Sequence, residues 1–188
     1  MKLSDDEFQA WWESLAEALQ PLLTDLPTFT QTAAVHAIIK RTPEDFQVTE
    51  ELAYAPCGEG PHLYLYVEKR GLNTADIVAV LKRAFAVKNA DIGFAGNKDR
   101  HALTRQWFSI HLPRFPAEHV IEKILEEHLT GSNIEVLRVE RHRNKIRRGH
   151  ARFNHFKVVL HQTKADEIPI LKQACAMIAE KGFPNYYG

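Results

Sequence analysis

The chain has 188 residues, 45% of them hydrophobic and 26% charged, with 24 Lys+Arg balancing 24 Asp+Glu. This is the composition of an ordinary globular protein, one domain with a small appendage, large enough to bury roughly 70% of its unfolded surface. Two cysteines (Cys57 and Cys175), no apolar run near the ~18 residues of a membrane span, and an acidic start exclude a disulfide scaffold, a CxxC motif, a membrane helix and a signal peptide, so a cytoplasmic protein is expected.

In chain order, Ser4-Asp5-Asp6-Glu7 has the form of a capping box and opens a helical pattern of Phe8, Trp11, Trp12, Leu15 and Leu19. This predicts an acidic N-terminal helical extension over residues 1–30, ended by Pro21 and Pro27. Phe46 to Glu50 alternates like a half-buried strand, and Leu63 to Val67 reads as a strand buried on both faces. Asn73-Thr74 can cap a helix that carries Ile77, Val78, Leu81 and Phe85. Ile92-Gly93-Phe94-Ala95 is a short apolar run stopped by Gly96, and Gln106 to Leu112 alternates as a further strand. A helix over 117–129 and a strand over 134–140 follow. Phe153 to Gln162 alternates again, placing Asn154, Phe156, Val158 and Leu160 on one face. A last helix over about 166–181 stops at Gly182. Alternating strands interspersed with helices predict an α+β fold with a mainly antiparallel sheet.

Charge is balanced in total and segregated in place. Between 138 and 152, Arg138, Arg141, Arg143, Lys145, Arg147, Arg148 and Arg152 face Glu140 alone, with His142 and His150 added. Such a stretch is either a solvated loop or a polyanion site.

The most unusual segment is Gly93-Phe94-Ala95-Gly96-Asn97-Lys98-Asp99-Arg100-His101-Ala102-Leu103-Thr104-Arg105-Gln106. It is not a phosphate loop, since the glycine spacing is wrong and no Ser or Thr follows the lysine. No HExxH or GxSxG occurs, and the histidines have no metal-ligand spacing. What remains is one carboxylate, Asp99, in an electropositive loop, where Lys98 or a distant cation would orient it. Such a group is either a turn former or a nucleophile or base that needs no metal or cofactor.

Ala95-Gly96-Asn97-Lys98-Asp99-x-x-Ala102-x-Thr104-x-Gln106 resembles the signature of the TruD-type tRNA pseudouridine synthases. Lys40-x-x-Pro43-Glu44-Asp45-Phe46-x-Val48-x-Glu50 resembles the N-terminal motif of that family. Arg141-His142-x-x-Lys145-Ile146-Arg147-x-Gly149 and Asn154-x-Phe156 resemble its basic stretch and Asn-x-Phe motif. Gly182-x-Pro184-Asn185-Tyr186-x-Gly188 resembles the segment leading to its inserted domain.

The resemblance implies the pseudouridine synthase fold: α+β, a mainly antiparallel mixed sheet and a central cleft. It implies that residues 31–188 are the first part of that catalytic domain, ending where the inserted domain begins, so that fold and activity are expected to be incomplete in this chain. It further implies Asp99 as catalytic nucleophile with Lys40 as its basic partner. Phe46, Asn154 and Phe156 match positions that contact the target uridine. Arg141, Arg143, Lys145, Arg147 and Arg148 are then the expected RNA-binding cations. The implied reaction is isomerisation of uridine 13 of tRNA, above all the glutamate tRNA, with tRNA the partner and with neither metal nor cofactor. The competing expectation is a non-catalytic RNA-binding module or an inactive fragment of such an enzyme.

Overall fold

The structure is a computed structural model that describes residues 35–129 and 133–182. The chain divides into two compact units, Ala37–Gln162 on the one hand and Met1–His36 with Thr163–Gly188 on the other. The acidic extension over 1–30 and the Pro184-Asn185-Tyr186-x-Gly188 motif lie outside the described residues. Within the second unit the described part is mainly helix α3, Ile168–Lys181, closed by the Gly182 amide, which donates to the Ile178 carbonyl at 2.8 Å. Gly182 has φ +74°, a left-handed geometry that suits glycine.

The larger unit is built on a six-stranded mixed sheet: β1 (Phe46–Leu52), β2 (His62–Arg70), β3 (Ile92–Phe94), β4 (Leu103–His111), β5 (Ile134–His142) and β6 (Ala151–Val158). The order is β5-β2-β4-β1-β6, with β3 also on β4. Among the described residues only β1 and β4 run parallel, and the other strand pairings are antiparallel. This is the α+β, mainly antiparallel architecture expected from the alternating strands.

β4 forks the sheet. Along one edge it pairs with β2 throughout its length. Its other edge is shared: Leu103–Arg105 pair with β1, while Phe108–Ile110 pair with β3. The two neighbours diverge around Gln106 and Trp107, and the chain between β3 and β4, which holds Asp99, fills the opening.

Two helices cover one face. In α1 (Thr74–Ala84) the Asn73 amide donates to Asp76 Oδ2 at 2.7 Å and caps the first turn. Ile77 and Leu81 of α1, and Ile121 and Leu129 of α2 (Glu118–Leu129), join Leu63, Leu65, Val67, Phe108 and Ile110 in the main core. Burying one such side chain contributes roughly 1.5–3 kcal/mol. Tyr64, Trp107, Leu52 and Ile146 form a second cluster on the other face. Gly93 is needed there: a Cβ at that position would lie 2.2 Å from the Ile146 carbonyl, so only glycine lets the basic segment lie against β3.

Two strand boundaries differ from the sequence pattern. β4 begins at Leu103 rather than Gln106, because its buried positions at that end, Thr104 and Gln106, are polar and break the apolar alternation. β6 ends at Val158 and is exposed nearly throughout, with Phe153 and Phe156 more than half accessible. Among the described residues it pairs with β1 alone, so alternation there marks an edge strand.

Candidate active site

The site grows from the fork. Cross-strand partners share a sheet face, so the register Val48↔Thr104, Val48↔Phe156 and Glu50↔Asn154 places Phe46, Val48 and Glu50 beside Asn154 and Phe156 on the helix-bearing side. Phe156 is exposed there.

The loop after β3 is anchored from below. The Lys98 amide donates to Thr74 Oγ1 at 2.9 Å, and Thr74 Oγ1 donates to Gln106 Oε1 at 2.9 Å. Gln106 Nε2 donates to the Gly96 carbonyl at 3.1 Å. Lys98 turns down and pairs with Glu50, both side chains nearly or fully buried. The other oxygen of Glu50 accepts the Trp107 amide at 3.2 Å, the backbone donor that the diverging strands leave without a ladder partner. Of the two cations considered for Asp99, Lys98 is therefore committed to Glu50.

Lys40 takes that place. Its Nζ donates to Asp99 Oδ2 at 2.9 Å. Among the described residues Oδ1 has no hydrogen-bond partner, and the Asp99 side chain is 51% exposed. The Lys40 ammonium also lies 3.9 Å from the centroid of the Phe46 ring, a cation–π contact. Lys40 itself adopts φ +58°, unusual for a residue with a side chain. Two contacts hold it there: His101 Nε2 donates to the Lys40 carbonyl at 2.7 Å, and Ile38 and His161 exchange backbone hydrogen bonds at 3.0 and 2.9 Å. Phe46 meets Phe156 edge to face, ring centroids 5.8 Å apart. Asp99, Lys40, Phe46 and Phe156 thus form one chain of contacts, with Asn154 on the same face and exposed.

The basic segment divides by partner. Arg141 donates to the Gly60 carbonyl and stacks on Phe115; Arg143 pairs with Glu59; Lys145 donates to the Ala90 carbonyl. Arg147 and Arg148 have no ion-pair partner among the described residues. They line a shallow cavity of about 330 Å³ with Phe94 and Lys145, and the Arg148 guanidinium lies 4.6 Å from the Phe94 ring centroid. The Gly149 amide donates to the Ala95 carbonyl at 3.0 Å, tying this turn to the strand that leads into the Asp99 loop.

Several residues around the site carry no assignment from the sequence: Glu50, Lys69, Thr74, Gln106 and His101. Glu50 and Gln106 stand inside the matched motifs, which is the signal that could have found them; Lys69 and Thr74 stand outside them. Among the described residues no group of three or more His, Cys, Asp or Glu is placed to hold a metal ion, and no helix is long and apolar enough to cross a membrane.

The chain is also similar to known proteins. Residues 26–188 match the family described as TruD, tRNA pseudouridine synthase D. A tRNA pseudouridine synthase D of Cellvibrio japonicus is 43% identical over 164 residues, 87% of this chain and 48% of that protein. The Thermus thermophilus protein of the same name is 42% identical over 172 residues, 89% of this chain and 44% of that protein. A crystal structure of a Methanosarcina mazei protein described as a TruD superposes with a TM-score of 0.71 at 29% identity, covering 85% of this chain and 36% of that one. The chain spans about half the length of the curated relatives it matches. With the family matched over nearly the whole sequence and its fold present in the sheet, this chain belongs to the TruD family of tRNA pseudouridine synthases.

Proposed function

We propose that this chain carries the nucleophile-bearing part of an enzyme that isomerises uridine to pseudouridine in tRNA, at position 13 and above all in the glutamate tRNA. In this reading residues 31–188 are the first part of the catalytic domain. The observation that carries it is the half-exposed Asp99–Lys40 pair beside the Phe46 and Phe156 rings.

The reaction breaks the C1′–N1 bond and joins C1′ to C5 of the same base, while C5 releases its proton and N1 takes one up. No atom is lost and no electron changes hands, so a single carboxylate suffices. Asp99 either attacks C1′, as the nucleophile of a retaining glycosidase does, or removes a sugar proton to give a glycal. Lys40 occupies one carboxylate oxygen and leaves the other for the sugar. A stacked uridine must first be flipped out, at roughly a few kcal/mol. Stacking on an aromatic side chain returns about 1–3 kcal/mol, and Phe156 is the exposed ring that can supply it. Asn154 offers the donor and acceptor that a uracil edge requires. Arg147 and Arg148 hold backbone phosphates, which fixes position and carries little sequence information.

The test is Asp99→Asn in the intact protein, assayed for pseudouridine in a tRNA transcript. Isomerisation is expected to vanish with tRNA affinity nearly unchanged. Equal turnover in the variant and the wild type would remove the assignment and leave an RNA-binding module.

A further inference from the structure

Lys69 is 1% exposed, and a lysine is almost never so buried without a carboxylate partner. Among the described residues none lies within ion-pair distance. Its Nζ instead donates to two backbone carbonyls, those of Leu72 at 2.6 Å and Asp99 at 2.9 Å. Burial pushes its pKa down to about 8; the Asp99 charge works against that shift, Lys98 adds to it and Asp76 opposes it. A methionine would fill the same space without a buried charge, but it would leave the Leu72 and Asp99 carbonyls without this donor. The ammonium is therefore a donor to two main-chain carbonyls, and one of them stands in the loop after β3.

That carbonyl belongs to the residue whose side chain Lys40 holds. We infer that Lys69 is a positioning residue: Lys40 fixes the carboxylate of Asp99, and Lys69 fixes the main chain of the same residue. Two cations from separate segments, one in the loop before β1 and one on β2, then define both ends of one side chain. Reach matters here, because a misplacement of about 1 Å at a reacting group lowers the rate on the order of 10²-fold. Lys69 touches no substrate in this arrangement and acts only through Asp99. The inference rests on Asp99 being the reacting group.

The experiment uses the intact protein as wild type, Asp99→Asn, Lys69→Met and Lys69→Gln, the last retaining an amide donor. Three quantities are read for each: single-turnover isomerisation of a tRNA transcript, tRNA affinity, and amide exchange at Lys98 and Ala102 with Leu65 and Phe108 as core controls. Lys69→Met is expected to lower the isomerisation rate about 10- to 100-fold with affinity within about twofold, and to speed loop exchange about 10-fold while the core amides stay protected. Lys69→Gln should recover part of both. Unchanged loop exchange overturns the inference whatever the rate does, and faster exchange with full turnover overturns it as well. Faster core exchange to the same extent as the loop would show a structural role only and also overturns it. A wild type that turns over no better than Asp99→Asn overturns the functional reading instead, and the exchange data then decide the main-chain clamp alone.

Discussion

Lys40 and Asp99 are 59 residues apart in the chain, and their side chains meet at 2.9 Å. The contact is reciprocated: His101, two residues beyond Asp99, donates to the carbonyl of Lys40. Two loops far apart in sequence therefore hold each other, and the lysine completes the arrangement by resting on Phe46.

Half-exposed ion pairs contribute only about 0–1 kcal/mol, so Lys40→Met should leave the thermal midpoint nearly unchanged. Under the proposed function isomerisation should fall on the order of 10²-fold, because the carboxylate loses its orientation. Single-turnover rates beside a melting curve check this. A variant with wild-type turnover would show that the pair is incidental.

The unequal partnering of the basic segment predicts unequal effects on RNA binding. Each phosphate contact contributes roughly 0.7–0.9 to the slope of log affinity against log salt. Replacing Arg147 and Arg148 by Gln should weaken tRNA binding and flatten that slope by about 1–2. Arg143→Gln should change it less, since Arg143 is committed to Glu59. Salt titrations of the three proteins decide the order.

Breaking the buried Lys98–Glu50 pair should destabilise the protein by about 3–5 kcal/mol, because Lys98→Met leaves a buried carboxylate uncompensated. Adding Glu50→Gln should restore more than half of the loss: it removes the orphaned charge and keeps an acceptor for the Trp107 amide. Denaturant unfolding of the single and double variants measures both. A double variant no better than the single would mean that the pair is not the coupling unit.

Lys69 gives the stability a pH signature. Its folded pKa lies at about 8, below the 10.5 of an ordinary lysine, so between those values the unfolded chain binds the proton and the folded chain does not. Stability then rises with pH through that window, relative to Lys69→Met, and the difference is flat below it. Unfolding free energies of the two proteins between pH 7 and pH 10.5 should diverge with that sign. Parallel curves would mean that Lys69 titrates normally.

The sheet was legible where burial follows apolar periodicity. Leu63, Leu65 and Val67 face the helices, Tyr64 packs the other side, and this strand reads as doubly buried from its residues alone. The family motifs likewise contain Asp99, Lys40, Phe46 and Phe156, which the fold brings into contact. Periodicity failed at the near end of β4, where Thr104 and Gln106 are buried and polar, and where Lys69 of β2 faces Thr104. Gln106 and Lys69 bond to the loop that holds Asp99 and do not fill a core, so the pattern there carries no hydrophobic signal.

The sequence by itself determined the family, the element types and which residues carry charge. Only the tertiary structure decided how those charges are spent. Lys98 adjoins Asp99 in the chain yet serves Glu50, and Lys40 reaches Asp99 from another segment. Of the five cations expected to bind RNA, Arg141, Arg143 and Lys145 are tied to protein groups. The physical reason is that an ion pair forms between groups a few ångströms apart in space, and strand pairing sets that separation with no regard to distance along the chain.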